Sequence, residues 1–501
     1  MTVVLVNYKN NNKMLKSDIG LIGLAVMGEN LALNMESKGY KVSVYNRTVK
    51  GVEEGVVERF LQGRAAHKNI DGFVSLLEFV ESLQSPRKIM MMVRAGAPVD
   101  ELIDQLVPIL SKGDILIDGG NSNFEDTARR VEYVESKGLY FIGAGVSGGE
   151  EGALNGPAIM PGGSKAAWPA VKDILQKIAA KAEDGTPCCT WIGNGGSGHF
   201  VKMIHNGIEY GDMQLIAETY FVMKQLLNAG NEWMSDRFED WNNGKLKSYL
   251  IEITTQILRH KEANGDFLID KILDTAGQKG TGKWSVINAL NLGTPLNLIA
   301  TAVFERNLSA MKGLRKEAAA LYKNDTPVLA FDPNDLIGYI GDALYASKLV
   351  SYAQGFETLQ KASEYYKWDL SLPDIARIWR GGCIIRSAFL NDIAEAFESE
   401  KKLENMLLSP YFAHEIKEAL KGWKTITAMC ANEEVAVPAF SSALNYFYSF
   451  TSKNLPANMI QAQRDYFGAH TFERIDKPRG EFFHENWTGH GGDTHSGKYN
   501  N

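Results

Sequence analysis

Between residues 18 and 195 the chain alternates brief apolar runs with amphipathic stretches. The runs at 18–23, 41–45, 88–93, 115–118 and 140–144 are short and bounded by Gly, Asn or Pro, the pattern of parallel strands buried on both faces. Helical spacing fills the intervals, as at 30–38 and 99–110. Strands alternating with helices predict a doubly wound, Rossmann-like α/β domain over residues 18–195. Beyond residue 196 strand-like runs nearly vanish. Long amphipathic stretches, such as 209–228, 245–260, 343–366 and 392–398, predict a large all-α domain over residues 196–453. From Asn454 the helical signal fades, and Pro456, Pro478 and many glycines predict an extended C-terminal tail over 454–501. The Asn-rich start, residues 1–17, reads as a flexible leader.

Composition narrows the class. With 501 residues, 45% of them hydrophobic and 23% charged, the chain is long enough for two or three domains with large cores. A net charge of -7 argues against a general nucleic-acid binder, because phosphate-backbone binding needs a basic surface. The four cysteines form no C-x-x-C pair and read as reduced thiols. No apolar run reaches the length of a membrane span and the start lacks a signal-peptide order, so a cytoplasmic location is the default expectation.

Candidate chemistry begins at the first predicted strand. Gly23, Ala25 and Gly28 stand at the positions of a G-x-G-x-x-G turn, with Ala at the second one. Small residues there allow a tight turn and bring backbone N–H groups close to a pyrophosphate at a helix N-terminus. About 20 residues on, a site for NAD carries Asp or Glu for the ribose 2′-hydroxyl. This chain has Asn46-Arg47-Thr48 instead, a set that attracts a 2′-phosphate and favours NADP. Two further glycine turns, Asp118-Gly-Gly-Asn-Ser122 and Gly145-Val-Ser-Gly-Gly149, follow strands and are placed to flank the nicotinamide and its substrate. Ser147, with the backbone of Gly148 and Gly149, suits a carboxylate.

Lys202, His205, Asn206 and Glu209 stand at i, i+3, i+4 and i+7, on one stripe of a helix, with Val201, Met203, Ile204 and Ile208 between them. The alternative is a solvated Lys/Glu face. His and Asn are poor choices for such a face, and Gly207 weakens the helix where stability alone would select Ala. The stretch Gly277-Gln-Lys-Gly-Thr-Gly-Lys-Trp284 approaches a nucleotide P-loop but has Trp284 where Ser or Thr would hold magnesium. What remains, with Lys279 and Thr281, suits a phosphate monoester; Arg306 and Arg464 are further candidates. No H-E-x-x-H is present, and His484, His490 and His495 fall in the predicted tail, so no metal site is expected.

Together these segments resemble the decarboxylating 6-phosphogluconate dehydrogenases, from Asp18 through the tail. The words that carry the resemblance are Gly23-Leu-Ala-Val-Met-Gly28, Asn46-Arg-Thr48, Asp118-Gly-Gly-Asn-Ser122, Gly145-Val-Ser-Gly-Gly149, the 202–209 helix, Gln278-Lys-Gly-Thr-Gly-Lys-Trp284, and Arg464 with His470. The resemblance implies NADP held by Gly23, Leu24, Ala25, Val26, Met27, Gly28, Asn46, Arg47, Thr48, Val93, Arg94, Ala95 and Asn121. It implies Lys202 as general base and Glu209 as the acid that protonates the enediol. Substrate would be held by Asn121, Ser147, Gly148, Gly149, His205, Asn206, Tyr210, Lys279, Thr281, Arg306, Arg464 and His470. It also implies a homodimer in which each tail reaches the partner subunit. Arg94 is a departure, since many relatives carry Lys there. Two rival readings are a simpler β-hydroxyacid dehydrogenase, which lacks the phosphate cluster, and a catalytically silent NADP-binding protein.

Overall fold

The computed structural model describes residues 15–49, 51–322, 332–400 and 402–491; most of the leader lies outside them, as does His495. The chain divides into two compact units, residues 1–440 and 441–501.

The first unit opens with an eight-stranded sheet: β1 (Ile19–Ile22), β2 (Val42–Tyr45), β3 (Ile70–Phe73), β4 (Lys88–Met91), β5 (Ile115–Asp118), β6 (Tyr140–Ser147), β7 (Ala158–Gly163) and β8 (Gly193–Asn194). Their spatial order is β3-β2-β1-β4-β5-β6-β7-β8. All neighbours are parallel except β6 and β7. The strand order reverses between β1 and β4, and ligands of open α/β sheets bind at such a switch point, beyond the carboxyl ends of the strands. Register brings those ends level: Ile22 lies beside both Tyr45 and Met91, and Met91 beside Asp118. The turns after β1, β2, β4 and β5 therefore share one edge. Apolar cores cover both faces, one built around Leu31, Val44 and Ile117, the other around Phe79, Ile89 and Phe141.

The five predicted strands are present, with β6 running on to Ser147. Three more were not foreseen. In β3 only Ile70 is buried, so it lacks an apolar run, and Pro161 with two glycines disguises β7. β7 nevertheless pairs fully with β6, since an antiparallel strand near the sheet edge tolerates proline.

The central helix, Ser197–Leu226, is 30 residues long and buried on nearly every side. It packs on β6 and β7 and against the helices Thr281–Leu292, Asn297–Ala310 and Pro333–Tyr366. Glycine permits these approaches. A Cβ at Gly198 would lie 2.4 Å from the carbonyl oxygens of Gly143 and Met160, and one at Gly207 would lie 2.9 Å from Ser285 Oγ. Gly207 is thus explained by helix–helix packing rather than by the chemistry of its neighbours.

In the second unit the predicted tail is extended over residues 469–491 but begins with a helix. Residues Ala457–Gly468 form a helix with Pro456 at its N-cap, outside the helix interior where proline would break it.

Candidate active site

The turn after β1 has the geometry a dinucleotide needs. Gly23 has φ +99°, and a Cβ there would lie 2.5 Å from Met92 O; a Cβ at Gly28 would lie 1.8 Å from Gly23 O. The helix Val26–Ser37 follows without a side-chain cap. Its first N–H groups are left for an anion. Asn46 Oδ1 accepts the Leu24 N–H at 2.9 Å and so ties the β2 end to this turn. Ala25, Val26, Arg47, Thr48 and Arg94 are exposed along the same edge, with Met27, Val93 and Ala95 half-buried. Arg47 is already engaged: its Nε and Nη2 meet the two Glu53 carboxylate oxygens at 3.2 and 3.3 Å. That pairing places a carboxylate in the fork that a 2′-phosphate requires.

Asn121 is exposed at the end of β5, on a turn held by a buried network. Asp118 Oδ1 accepts Gly120 N–H at 3.0 Å, and Asp118 Oδ2 accepts the Ser122 hydroxyl at 2.6 Å. Arg130, buried beneath, donates to both Asp100 oxygens at 2.8 and 2.9 Å and to Gly96 O at 3.0 Å. This clamp joins the turns after β4 and β5. Sequence reading missed it, since no spacing ties Asp100 to Arg130.

The central helix carries the reactive stripe. Lys202, His205 and Asn206 are buried, while Glu209 keeps partial exposure. Lys202 Nζ lies 3.4 Å from His205 Nδ1, which also lies 3.1 Å from Asn206 Oδ1 and 3.8 Å from a Glu209 oxygen. His205 Nε2 lies 3.2 Å from Ser147 Oγ at the end of β6. With Asn206 presenting its carbonyl oxygen, the proton belongs on Nδ1, and the Ser147 hydroxyl donates to Nε2. Burial lowers the Lys202 pKa, against the pull of Glu209. Burial, reinforced by Lys202, holds His205 well below its ordinary value, so the ring is neutral. Burial raises the Glu209 carboxyl, partly offset by Lys202 and Arg306. One element therefore holds an amine shifted toward its neutral form and a carboxyl shifted toward its protonated form.

Gly145 fixes where Lys202 stands, since a Cβ on it would lie 2.4 Å from Lys202 Cβ. Gly148 and Gly149 both have positive φ, at +115° and +62°, and Gly148 is packed against Gly382 O. Behind the stripe, Asp212 and Lys348 form a fully buried ion pair at 2.5 Å, with the Tyr352 hydroxyl also donating to Asp212. Its two members are 136 residues apart, which no local motif reveals.

At the far end of the stripe, the Arg306 guanidinium stacks over the Tyr210 ring at 3.6 Å and donates to Gly277 O at 3.0 Å. Thr281 opens the helix Thr281–Leu292, whose N-cap Gly280 has φ +99°, and Gly282 lies against Tyr210. The glycine loop, Tyr210 and Arg306 are thus brought together, with Lys279 exposed on the loop. Arg464 and His470 belong to the second unit. A cavity of about 840 Å³ is lined by Gly148, Cys383, Lys247, Arg380 and Arg386. Those three cations pair with Glu183, Asp184 and Glu252, while Lys181, also in the lining, donates to Gln176 O. Among the described residues no group of three or more metal-ligating side chains occurs, and no helix is long and apolar enough to cross a membrane.

Comparison with known proteins assigns both halves. A family model for the NAD binding domain of 6-phosphogluconate dehydrogenase matches residues 18–193, and one for the 6-phosphogluconate dehydrogenase C-terminal domain matches residues 198–487. The chain belongs to the 6-phosphogluconate dehydrogenase family. The decarboxylating 6-phosphogluconate dehydrogenase of Treponema pallidum is 55% identical over 96% of this chain and 99% of its own length. Decarboxylating enzyme 1 of Saccharomyces cerevisiae is 51% identical over 97% of this chain and 100% of its own. A Plasmodium falciparum 6-phosphogluconate dehydrogenase, solved free, with NADP+ and with 6-phosphogluconate, superposes with a TM-score of 0.89 at 45% identity, over 94% of this chain and 100% of the other.

Proposed function

We propose that the chain catalyses oxidative decarboxylation of 6-phospho-D-gluconate to D-ribulose 5-phosphate and CO2, with reduction of NADP. The observation that carries this reading is the stripe of buried Lys202 and half-buried Glu209, shifted toward neutral amine and protonated carboxyl, beside the glycine turn of β6. Full-length identity above 50% to decarboxylating enzymes supports it over the two rivals.

The residues fit the cofactor. The Gly23–Gly28 turn and the uncapped Val26–Ser37 helix suit its pyrophosphate, and Arg47 with Asn46 and Thr48 its 2′-phosphate. When bound, NADP accepts the hydride that leaves substrate C3. Lys202, neutral, takes the C3 hydroxyl proton at Nζ as the C3–H electron pair departs. The 3-keto acid then loses C1 as CO2, and the electrons of that bond form an enediol whose oxygen is stabilised by the Lys202 ammonium. Glu209 delivers a proton to the enediol carbon that becomes C1 of the pentulose. Ser147, Gly148 and Gly149 would hold the carboxylate, His205 and Asn206 would orient hydroxyls, and Asn121 would serve the region where nicotinamide and substrate meet. Tyr210, Lys279, Thr281 and Arg306 hold the phosphate.

The same reading includes a cytoplasmic homodimer in which Arg464 and His470 of the partner subunit complete the phosphate site. Its support is an exposed apolar set on and between helices of the first unit: Leu290 at 75%, Phe304 at 62%, and Leu308, Met311 and Leu314. Exposed apolar side chains on successive elements suit a second copy. The deciding experiment mixes the protein with NADP and 6-phosphogluconate and measures NADPH and CO2. Equal yields support the proposal. NADPH without CO2, or equal turnover of an unphosphorylated hydroxyacid, overturns it.

A further inference from the structure

The second unit is organised by a polar centre. From residue 451 onward, Asp465 and Thr471 are the only buried residues among those described. The Asp465 side chain accepts four hydrogen bonds. Oδ1 takes the Thr471 N–H and His484 Nδ1, each at 2.9 Å, and Oδ2 takes the Glu485 N–H at 3.0 Å and Trp487 Nε1 at 2.9 Å. Every lone-pair site of the carboxylate is used. Burial pushes the carboxyl up, but these four bonds more than offset it and its pKa lies below the ordinary value.

The segment tied to this centre is strained. Ala469 and Thr471 have φ of +48° and +59°, in the left-handed region, and for a β-branched residue such as Thr that is a costly conformation. Between them stands His470, whose ring lies so close over Gly468 that a Cβ there would sit 2.6 Å from Nε2. Such strain persists only where surrounding contacts over-determine it. Asp465 supplies them: its backbone oxygen takes the Ala469 N–H at 2.9 Å, its side chain takes the Thr471 N–H, and residues 484–487 are drawn to the same carboxylate. Asp465 also follows Arg464 directly.

We propose that Asp465 is a positioning residue for the phosphate end of the active site: it locks the 468–471 turn so that Arg464 and His470 form one preorganised pair of phosphate ligands. This rests on the reading in which the tail supplies those two ligands. The turn is then set before substrate arrives, and binding energy is not spent on ordering it.

The test compares steady-state constants of the full-length enzyme and its variants. Arg464→Ala raises KM for 6-phosphogluconate about a hundredfold, as loss of a charged phosphate contact should. Asp465→Asn raises the same KM about tenfold and leaves kcat within about twofold. In the Arg464→Ala, His470→Ala background, Asp465→Asn adds no more than about twofold, because its effect passes through those residues. Trp487→Phe, which keeps an aromatic ring and removes one donor, raises KM about threefold and covers the case in which Asp465→Asn fails to fold. An unchanged KM in Arg464→Ala would sink the tail reading itself. A normal KM in Asp465→Asn or Trp487→Phe beside an impaired Arg464→Ala overturns the proposal alone, as does a full additive loss in the double-mutant background.

Discussion

Gly145→Ala tests whether the sheet sets the position of the base. The added Cβ would lie 2.4 Å from Lys202 Cβ, 2.9 Å from Lys202 Cγ and 3.3 Å from Gly198 O. Carbon atoms rest at about 3.5–4.0 Å, so β6 and the central helix must separate by about 1 Å. Neither side yields easily, because Gly198 is itself wedged against Gly143 O and Met160 O. Overpacking of this kind costs about 1–3 kcal/mol of stability. A displacement of about 1 Å at a reacting group costs on the order of a hundredfold in rate. The expected result is kcat for NADPH formation reduced about a hundredfold, a modestly lower melting temperature, and NADP affinity within about twofold of wild type, since the Gly23–Gly28 turn is untouched. A folded variant with kcat within about twofold of wild type would refute the claim that this contact places Lys202.

Glu53→Gln frees the exposed Arg47 fork, and a pair of that kind is worth about 0.2–1 kcal/mol, so NADP should bind about 1.4- to fivefold more tightly with no change for NAD. Arg47→Glu should weaken NADP far more than NAD; equal losses in a direct binding titration would remove Arg47 from the 2′-phosphate. Glu218 is buried, accepts the Ala439 and Phe440 N–H groups at 2.8 and 3.0 Å, and is pushed by burial to about 7 from 4.5. The folded state therefore holds its proton more tightly than the unfolded chain. The resulting stability is present below pH 4.5 and is lost as pH rises toward 7, so Glu218→Gln should flatten the melting temperature across that window; an unchanged profile contradicts the assignment.

Much of the sheet was legible because β1, β2, β4, β5 and β6 are short apolar runs, and a strand buried on both faces must be apolar throughout. β3 and β7 were not, since one has a single buried residue and the other carries Pro161 and glycines whose fit depends on the neighbouring strand. The stripe from Lys202 to Glu209 was readable from spacing alone, and the helix places the four side chains together. Its start at Ser197 was hidden by glycines that serve tertiary packing. The Arg130–Asp100 clamp, the Asp212–Lys348 pair and the four donors around Asp465 join positions distant in sequence, and pairwise charge complementarity is too common to single them out. Arg47 was legible as a cation placed after β2 for a 2′-phosphate, but its engagement with Glu53 is a matter of rotamers that only coordinates supply.

The central claim is that the buried Lys202 amine takes the substrate hydroxyl proton while hydride leaves for NADP. Rapid mixing of Lys202→Met with NADP and 6-phosphogluconate, following NADPH and CO2 in a single turnover, tests it most directly. The account predicts NADP affinity within about twofold of wild type and neither product formed on the wild-type time scale. A burst of NADPH close to the wild-type rate would contradict it.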